Sequence, residues 1–289
     1  MVESFNIITF VVGQTASGKS CWAIKEAIKS GGAILNADSI QIYRHLNIGA
    51  AKPTSEDQKR VEHFLYDMVL PSEEFTAGDY RRAALAVIEK ELPSRPLFIV
   101  GGSGFYLQAL ENGMFEVSPI SAEIKKKVSL LIDSNQLYSE LCHVDPISAK
   151  RIEANDTYRL RRALEVTLSE GKAFSKIDEQ FRKSRKRLKD KYRVRKIGIG
   201  CDKEKLRHRV TLRAEMMLSA GLIDEVERLI NMGYADTKAL NSVGYKEVAS
   251  FLSGGMKKEE LLQAIITSTM QLAKRQMTWF KRDKEIVWY

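Results

Sequence analysis

The segment Gly13-Gln14-Thr15-Ala16-Ser17-Gly18-Lys19-Ser20 spells G-x-x-x-x-G-K-[ST]. It follows the apolar run 7–12 directly and opens a helical pattern over Lys19–Ser30, the strand-loop-helix setting that a phosphate-binding loop requires. Glycines let successive N–H groups turn toward phosphate oxygens, Lys19 brings a point charge, and the helix dipole adds to the attraction. The Ser20 hydroxyl is placed to sit on Mg²⁺. A plain glycine-rich turn is the bland alternative, and the flanking strand and helix weigh against it.

The rest of the chain fits that start. Residues 33–37 read as a second strand, 78–92 as a helix stopped by Pro93, and 97–100 as a third strand running into Gly101-Gly102-Ser103-Gly104. This alternation predicts a parallel sheet covered on both faces. From 114 to 192 the strand signal disappears. Short helices are expected there at 122–132, 147–152 and 157–169, started by Ser121, Asp145-Pro146 and Asn155-Asp156. Residues 193–199 read as a strand returning to the sheet, followed by helices at 203–220, 222–232, 245–252 and 257–281 and a candidate last strand at 286–289. The expected fold is a P-loop α/β core, 1–113 with 193–289, interrupted by an all-helical insertion domain, 114–192.

At 289 residues the chain is long enough for a substantial core. It carries no run of 18 apolar residues and no basic, then apolar, N-terminal leader, so a membrane span and a secretory signal are not expected and the cytoplasm is the default compartment. Cys21, Cys142 and Cys201 and the four histidines are scattered without metal-ligand spacing, which indicates neither a disulfide framework nor a zinc site. The net charge of +9 is concentrated: from Arg182 to Lys196 ten basic residues face one acid, Asp190. Such a run is often a solvated helix face, but the whole excess in one stripe favours a polyanion partner, nucleic acid above all.

Ligands of open α/β sheets sit beyond the carboxyl ends of the strands. Asp38, Ser39 and Gln41 follow one strand and Gly101–Gly104 another, so all can face the phosphate loop. Asp38 reads as a water-mediated Mg²⁺ ligand, as a proton acceptor, or as an Asx-turn residue. The glycine segment reads as a second anion nest or as a tight strand-to-helix turn.

Several blocks taken together resemble one family. Gly13–Ser20, Ala37-Asp38-Ser39-Ile40-Gln41-Ile42-Tyr43-Arg44, Asn47-Ile48-Gly49-Ala50-Ala51-Lys52-Pro53-Thr54, Val100-Gly101-Gly102-Ser103-Gly104-Phe105-Tyr106, the segment 155–166, Val243-Gly244-Tyr245-Lys246-Glu247 and the segment 272–280 closely resemble the bacterial tRNA dimethylallyltransferases, in the family's order. The resemblance spans Gly13 to Arg282. It implies transfer of a dimethylallyl group from dimethylallyl diphosphate to the N6 amine of the adenine 3′ of a tRNA anticodon, with diphosphate leaving and Mg²⁺ as cofactor. By this resemblance Gly13, Gln14, Thr15, Ala16, Ser17, Gly18, Lys19 and Ser20 hold the diphosphate, with Ser20 at the metal. Asp38 accepts the N6 proton, Ser103 helps hold the amine or the acid, and Arg213 balances charge on the leaving group.

The same resemblance assigns RNA contacts. Asp38, Ser39, Ile40 and Gln41 meet the everted adenine, a base that must leave its stack to react. Tyr158, Arg159, Leu160, Arg161 and Arg162, then Asn241, Ser242, Val243, Gly244, Tyr245 and Lys246, then Lys274, Arg275, Gln276, Met277, Thr278, Trp279, Phe280 and Lys281 line the RNA path. Helical spacing makes Trp279 and Phe280 core anchors more than stacking platforms. The insertion reaches the anticodon arm, and a monomer is expected. Ile40, Ala50, Glu62, Asn241, Ser242 and Met270 depart from the family's usual residues. A small-metabolite kinase, an adenylate isopentenyltransferase and a non-catalytic RNA-binding protein are the rival readings; none uses the loop, Asp38, Arg213 and the basic stripe together.

Overall fold

The apolar runs become the strands of one sheet in the computed structural model, which describes residues 7–115, 117 and 119–289. Strands β1 (Ile7–Gly13), β2 (Ala33–Asn36), β3 (His63–Phe64), β4 (Leu97–Gly101), β5 (Arg193–Ile199) and β6 (Val287–Trp288) lie in the order β3-β2-β4-β1-β5-β6. Every pairing is parallel; Val11 stands opposite Val100 on one side and Ile197 on the other. All described carboxyl ends therefore point one way, and the loop after β1 sits near the middle of that edge.

Helix α1 (Lys19–Ser30) lays Ala23, Ile24 and Ala27 on Val11, Ile34, Phe98 and Val100. Residues four apart share a helix face and alternate strand residues share a sheet face, so the two periodicities seal one contact. Gly31 ends the helix in the left-handed conformation, φ 64°. Helix α2 (Ser55–Arg60) and strand β3 were not expected: six and two residues with no buried helical side chain give no apolar period to read. Their signal is instead the Thr54/Asp57 capping box. A second such box, Thr76 with Asp79, starts α3 (Ala77–Glu91) one residue before the expected 78. Helix α4 (Gly104–Asn112) follows β4.

The described chain falls into two units: residues up to 111 with 188–289, and 112–187. The second unit holds α5 (Ala122–Ser129), α6 (Ser134–Val144), α7 (Pro146–Arg151), α8 (Thr157–Glu170) and α9 (Phe174–Ser184). Its core is Val128, Leu137, Leu141, Ala149, Leu160, Ala163 and Leu164. Buried Asp145 ties it together, accepting from the backbone and hydroxyl groups of both Ser148 and Ser175 at 2.6–3.1 Å. Burial pushes its carboxyl up, and those hydrogen bonds outweigh burial and hold it below the usual range.

The boundary divides the basic stripe. Residues 188–192 belong with the sheet unit, not with the helical one. Lys196, read as part of a polyanion-facing run, is 8% exposed and pairs with Glu111, with Asp283 at 2.7 Å and with Glu285 at 3.0 Å. It is an internal ion-pair hub, because its place in β5 turns it toward carboxylates at the far end of the chain. After β5 come α10 (Lys203–Ser219), α11 (Leu222–Asn231), α12 (Tyr245–Leu252) and α13 (Lys258–Phe280). Among the described residues no helix is long and apolar enough to cross a membrane.

Candidate diphosphate and acceptor site

The phosphate loop is shaped by backbone conformations that few residues adopt. Ala16 (φ 60°) and Gly18 (φ 98°) are left-handed, the geometry from which anion nests are built. Gly13 is needed for a different reason: a Cβ there would lie 2.6 Å from the Ile199 carbonyl oxygen. Gly18 caps α1 without a side-chain acceptor, so the first-turn N–H groups keep their capacity for an anion. Lys19 Nζ donates to the Gln14 carbonyl at 3.3 Å. Inside the loop, Ser17 Oγ and Gln14 Oε1 are buried with no hydrogen-bond partner.

Two other segments buttress the loop. From α13, Gln276 Oε1 accepts from Thr15 N–H at 2.7 Å, and its Nε2 donates to the Gly102 carbonyl at 3.2 Å. Gln14 Nε2 donates to the Ala273 carbonyl at 3.2 Å. From α10, Arg209 donates to the Ser17 carbonyl at 2.8 Å. Neither Arg209 nor the bridging role of Gln276 was read from the sequence; the spacing from Arg209 to Arg213, one helical turn, is the signal that was there.

Electrostatics draw Lys19, from the expected diphosphate set, and Asp38 and Arg213, from the expected catalytic set, into one field. Burial lowers the Lys19 ammonium to about 8, with Asp38 opposing the fall and Arg213 adding to it. Burial also lowers Arg213, again opposed by Asp38. Among the described residues no carboxylate lies in salt-bridge contact with Lys19 or Arg213; Asp38 acts on both through the field, and Arg213 on Lys19. Two partly buried cations near one another, with no carboxylate in salt-bridge contact, have positive charge to offer an anion.

Asp38 follows β2 in a tight turn: its N–H donates to Asn36 Oδ1 and its Oδ1 accepts from Ile40 N–H, each at 2.9 Å. The Asx-turn reading is thus realised at a residue that also faces Lys19 and Arg213. Ser103 Oγ accepts from Ser39 N–H at 2.9 Å and donates to Ser39 Oγ at 3.1 Å, locking the turn to the end of β4. The glycines before and after Ser103 are packing residues. A Cβ on Gly101 would meet the Ala37 carbonyl oxygen at 2.0 Å, on Gly102 it would meet Gln276 Nε2 at 2.1 Å, and on Gly104 the Trp279 indole at 2.2 Å. None of the three has positive φ, so the tight turn, not the second nest, describes this segment.

The remaining RNA-path residues divide. Tyr158 is 78% exposed, and Arg159, paired with Asp156, lies beside it on α8. Arg161 and Arg162 are half-buried, Arg162 lying 3.6 Å from Glu165. Asn241, Lys246, Lys274, Arg275, Thr278 and Lys281 are exposed, Ser242, Val243 and Met277 half-buried, and Trp279 sits over Gly104 at the surface. Gly244 N–H is spent on Glu247 at 2.7 Å. Two RNA-path expectations need correcting: Leu160 and Tyr245 are interior, because each occupies the apolar side of its helix, and their side chains cannot face RNA; Phe280 is interior as its helical spacing predicts, whereas Trp279, read as a core anchor with it, is partly exposed. Gln276 and Gln41 are also engaged within the protein, Gln41 Nε2 donating to the Ala50 and Ala51 carbonyls at 3.0 Å each.

A sequence profile described as IPP transferase matches residues 41–283. A tRNA dimethylallyltransferase of Bdellovibrio bacteriovorus is 44% identical over 286 residues, covering 98% of this chain and 92% of that protein. A crystal structure of a tRNA isopentenylpyrophosphate transferase from Staphylococcus epidermidis superposes with a TM-score of 0.67 at 30% identity, over 98% of this chain and 92% of that one. A eukaryotic dimethylallyltransferase captured acting on tRNA matches with a TM-score of 0.84 at 24% identity, over 98% of this chain and 73% of that one, a likeness of fold. With the profile covering most of its length and a relative this similar over nearly all of it, the chain belongs to the IPP transferase family.

Proposed function

We propose that this protein transfers the dimethylallyl group of dimethylallyl diphosphate to the N6 amine of the adenine next to the anticodon of tRNA, releasing diphosphate. The observation that carries the reading is a pair of cations, Lys19 and Arg213, with Asp38 in their field but no carboxylate in salt-bridge contact, at the mouth of a phosphate loop. The diphosphate lies in the nest formed by residues 13–20, between Lys19 and Arg213. As N6 attacks C1 of the allyl group, the C1–O bond breaks and its electron pair leaves on the diphosphate. Stabilising that developing charge is the main electrostatic task, and preorganised cations in a partly dry site perform it. Asp38 takes the N6 proton, and its free oxygen orients the amine beforehand.

The face of α10 that carries Arg209 and Arg213 also carries Leu212 and Met216, by the helical period. Met216 is 70% exposed and Leu212 45% exposed, an apolar surface beside the diphosphate-binding arginine that suits the five-carbon chain. Mg²⁺ fits in one form only. Among the described residues no three acidic, histidine or cysteine side chains cluster as a metal site, whereas Ser20 stands exposed at the loop; its hydroxyl would hold the ion together with the bound diphosphate. When bound, it neutralises part of the diphosphate charge.

RNA contacts are assigned to the exposed residues Tyr158, Arg159, Asn241, Lys246, Lys274, Arg275 and Lys281. Cations at these positions meet phosphates and Tyr158 offers a stacking face. The test is direct: incubation of purified protein with labelled dimethylallyl diphosphate, Mg²⁺ and either tRNA or AMP, with an ATP control. Label in tRNA is the expected result. Label only in AMP, or phosphate transfer from ATP, contradicts the reading.

A further inference from the structure

Glu225 is a buried carboxylate that the reaction does not use. It is 1% exposed on α11, between the core residues Leu222, Val226 and Leu229. Its two oxygens accept from Asn47 N–H at 3.1 Å, Ile48 N–H at 2.9 Å, Gly49 N–H at 3.2 Å and the Tyr245 hydroxyl at 2.7 Å. Four donors on one acceptor-only group account for its tolerance of burial. Tyr245, fully buried at the start of α12, accepts in turn from Ala50 N–H at 3.1 Å. The loop packs closely against its ring: a Cβ on Gly49 would stand 2.5 Å from it. Burial, and then Glu225, push the Tyr245 phenol far above its ordinary range, so it stays protonated and keeps donating.

The other edge of the same loop is held by Gln41, whose amide nitrogen donates to the Ala50 and Ala51 carbonyls. Gln41 ends the turn in which Asp38 Oδ1 accepts from Ile40 N–H. A continuous set of hydrogen bonds therefore runs from α11 and α12 through residues 47–51 to the turn that carries Asp38. Among the described residues no hydrogen bond joins Glu225, Tyr245, residues 47–51 or Gln41 to the phosphate loop, whose hydrogen bonds through side chains run to Ala273, Gln276 and Arg209.

We propose that Glu225, acting through Tyr245 and the loop 47–51, is a positioning residue for the acceptor side of the site. On the reading above, it sets the turn 38–41 against the incoming adenine and leaves the diphosphate side untouched. Exposed Asn241 and Lys246 flank Tyr245 in the chain, so RNA docking on that segment bears on the same path.

The test is a two-substrate kinetic comparison of the full protein with Tyr245→Phe, Glu225→Gln and Gln41→Leu. The KM for tRNA rises on the order of tenfold in each, while the KM for dimethylallyl diphosphate stays within about twofold. Tyr245→Phe combined with Gln41→Leu costs no more than the worse single change, because both cut one path. Tyr245→Phe keeps the ring against Gly49 and carries the test if Glu225→Gln fails to fold. A second readout needs no turnover: hydrogen exchange at the Ile40 amide accelerates on the order of tenfold in Tyr245→Phe. It tests the path even in a protein that transfers no prenyl group, so failure of the proposed activity and failure of this path are told apart. Equal rises in both KM values, multiplying effects in the double variant, or unchanged exchange at Ile40 overturn the proposal.

Discussion

The phosphate loop and the acceptor turn both follow strands of the same sheet, β1 and β2, yet they are held in different ways. Eight consecutive residues make the phosphate loop, and on the proposed reading its binding groups are mostly backbone N–H groups, directed by the left-handed Ala16 and Gly18 and braced from α13 and α10. The acceptor turn is four residues whose geometry is imposed from elsewhere: Asn36 and Ser103 at one end, and Glu225 and Tyr245, through residues 47–51, at the other. An anion with many equivalent oxygens needs only a nest. A single amine that must meet one carbon from one direction needs side chains fixed by several distant segments.

If the two sides are built so differently, damage to each has a different kinetic signature. Asp38→Asn has the largest expected effect: turnover falls by about 10²–10⁴-fold, the range for a lost proton acceptor, while filter retention of tRNA is preserved. Lost retention would make Asp38 a binding residue. Arg213→Met follows, lowering kcat by about 10²–10³-fold and weakening diphosphate binding, with the KM for tRNA unchanged. A selective rise in that KM would move Arg213 to the acceptor side. Gly102→Ala is smaller. Its new methyl group displaces Gln276 from Thr15 and Gly102, and because Gln276 bridges the two sides, both KM values rise on the order of tenfold. A rise in only one would deny the bridge.

The smallest effect is a pH dependence confined to the diphosphate side. With Lys19 lowered to about 8, the ammonium is present at pH 7 and is lost as pH climbs through 8. The KM for dimethylallyl diphosphate therefore rises severalfold between about pH 7 and 9. Lys19→Arg stays charged over that range and abolishes the break. A break that survives in Lys19→Arg belongs to another group.

The same contrast explains what the chain's sequence discloses. The phosphate loop, β1 and α1 are contiguous, and motif, apolar run and helical period coincide within residues 7–30. The family resemblance gave Asp38 and Arg213 separate roles, but no local pattern says that they share a field with Lys19. Lys196 looked like one charge in a stripe, since its partners Asp283 and Glu285 lie some ninety residues away in the chain. Tyr245 and Leu160 sit in blocks that the resemblance gives to RNA, and only packing shows that they are interior while Asn241, Lys246, Tyr158 and Arg159 are exposed. Glu225 did leave a trace, an acid among Leu222, Val226 and Leu229 on the apolar side of α11. Short elements such as α2 and β3 carry too few residues for any period.

A co-crystal with an anticodon stem-loop and an unreactive thio analogue of dimethylallyl diphosphate tests the central claim most directly. The account predicts the diphosphate seated on residues 13–20 between Lys19 and Arg213, with the adenine N6 within hydrogen-bond reach of Asp38, about 2.6–3.2 Å. A diphosphate lodged away from Lys19, or an adenine whose N6 points away from Asp38, would contradict it.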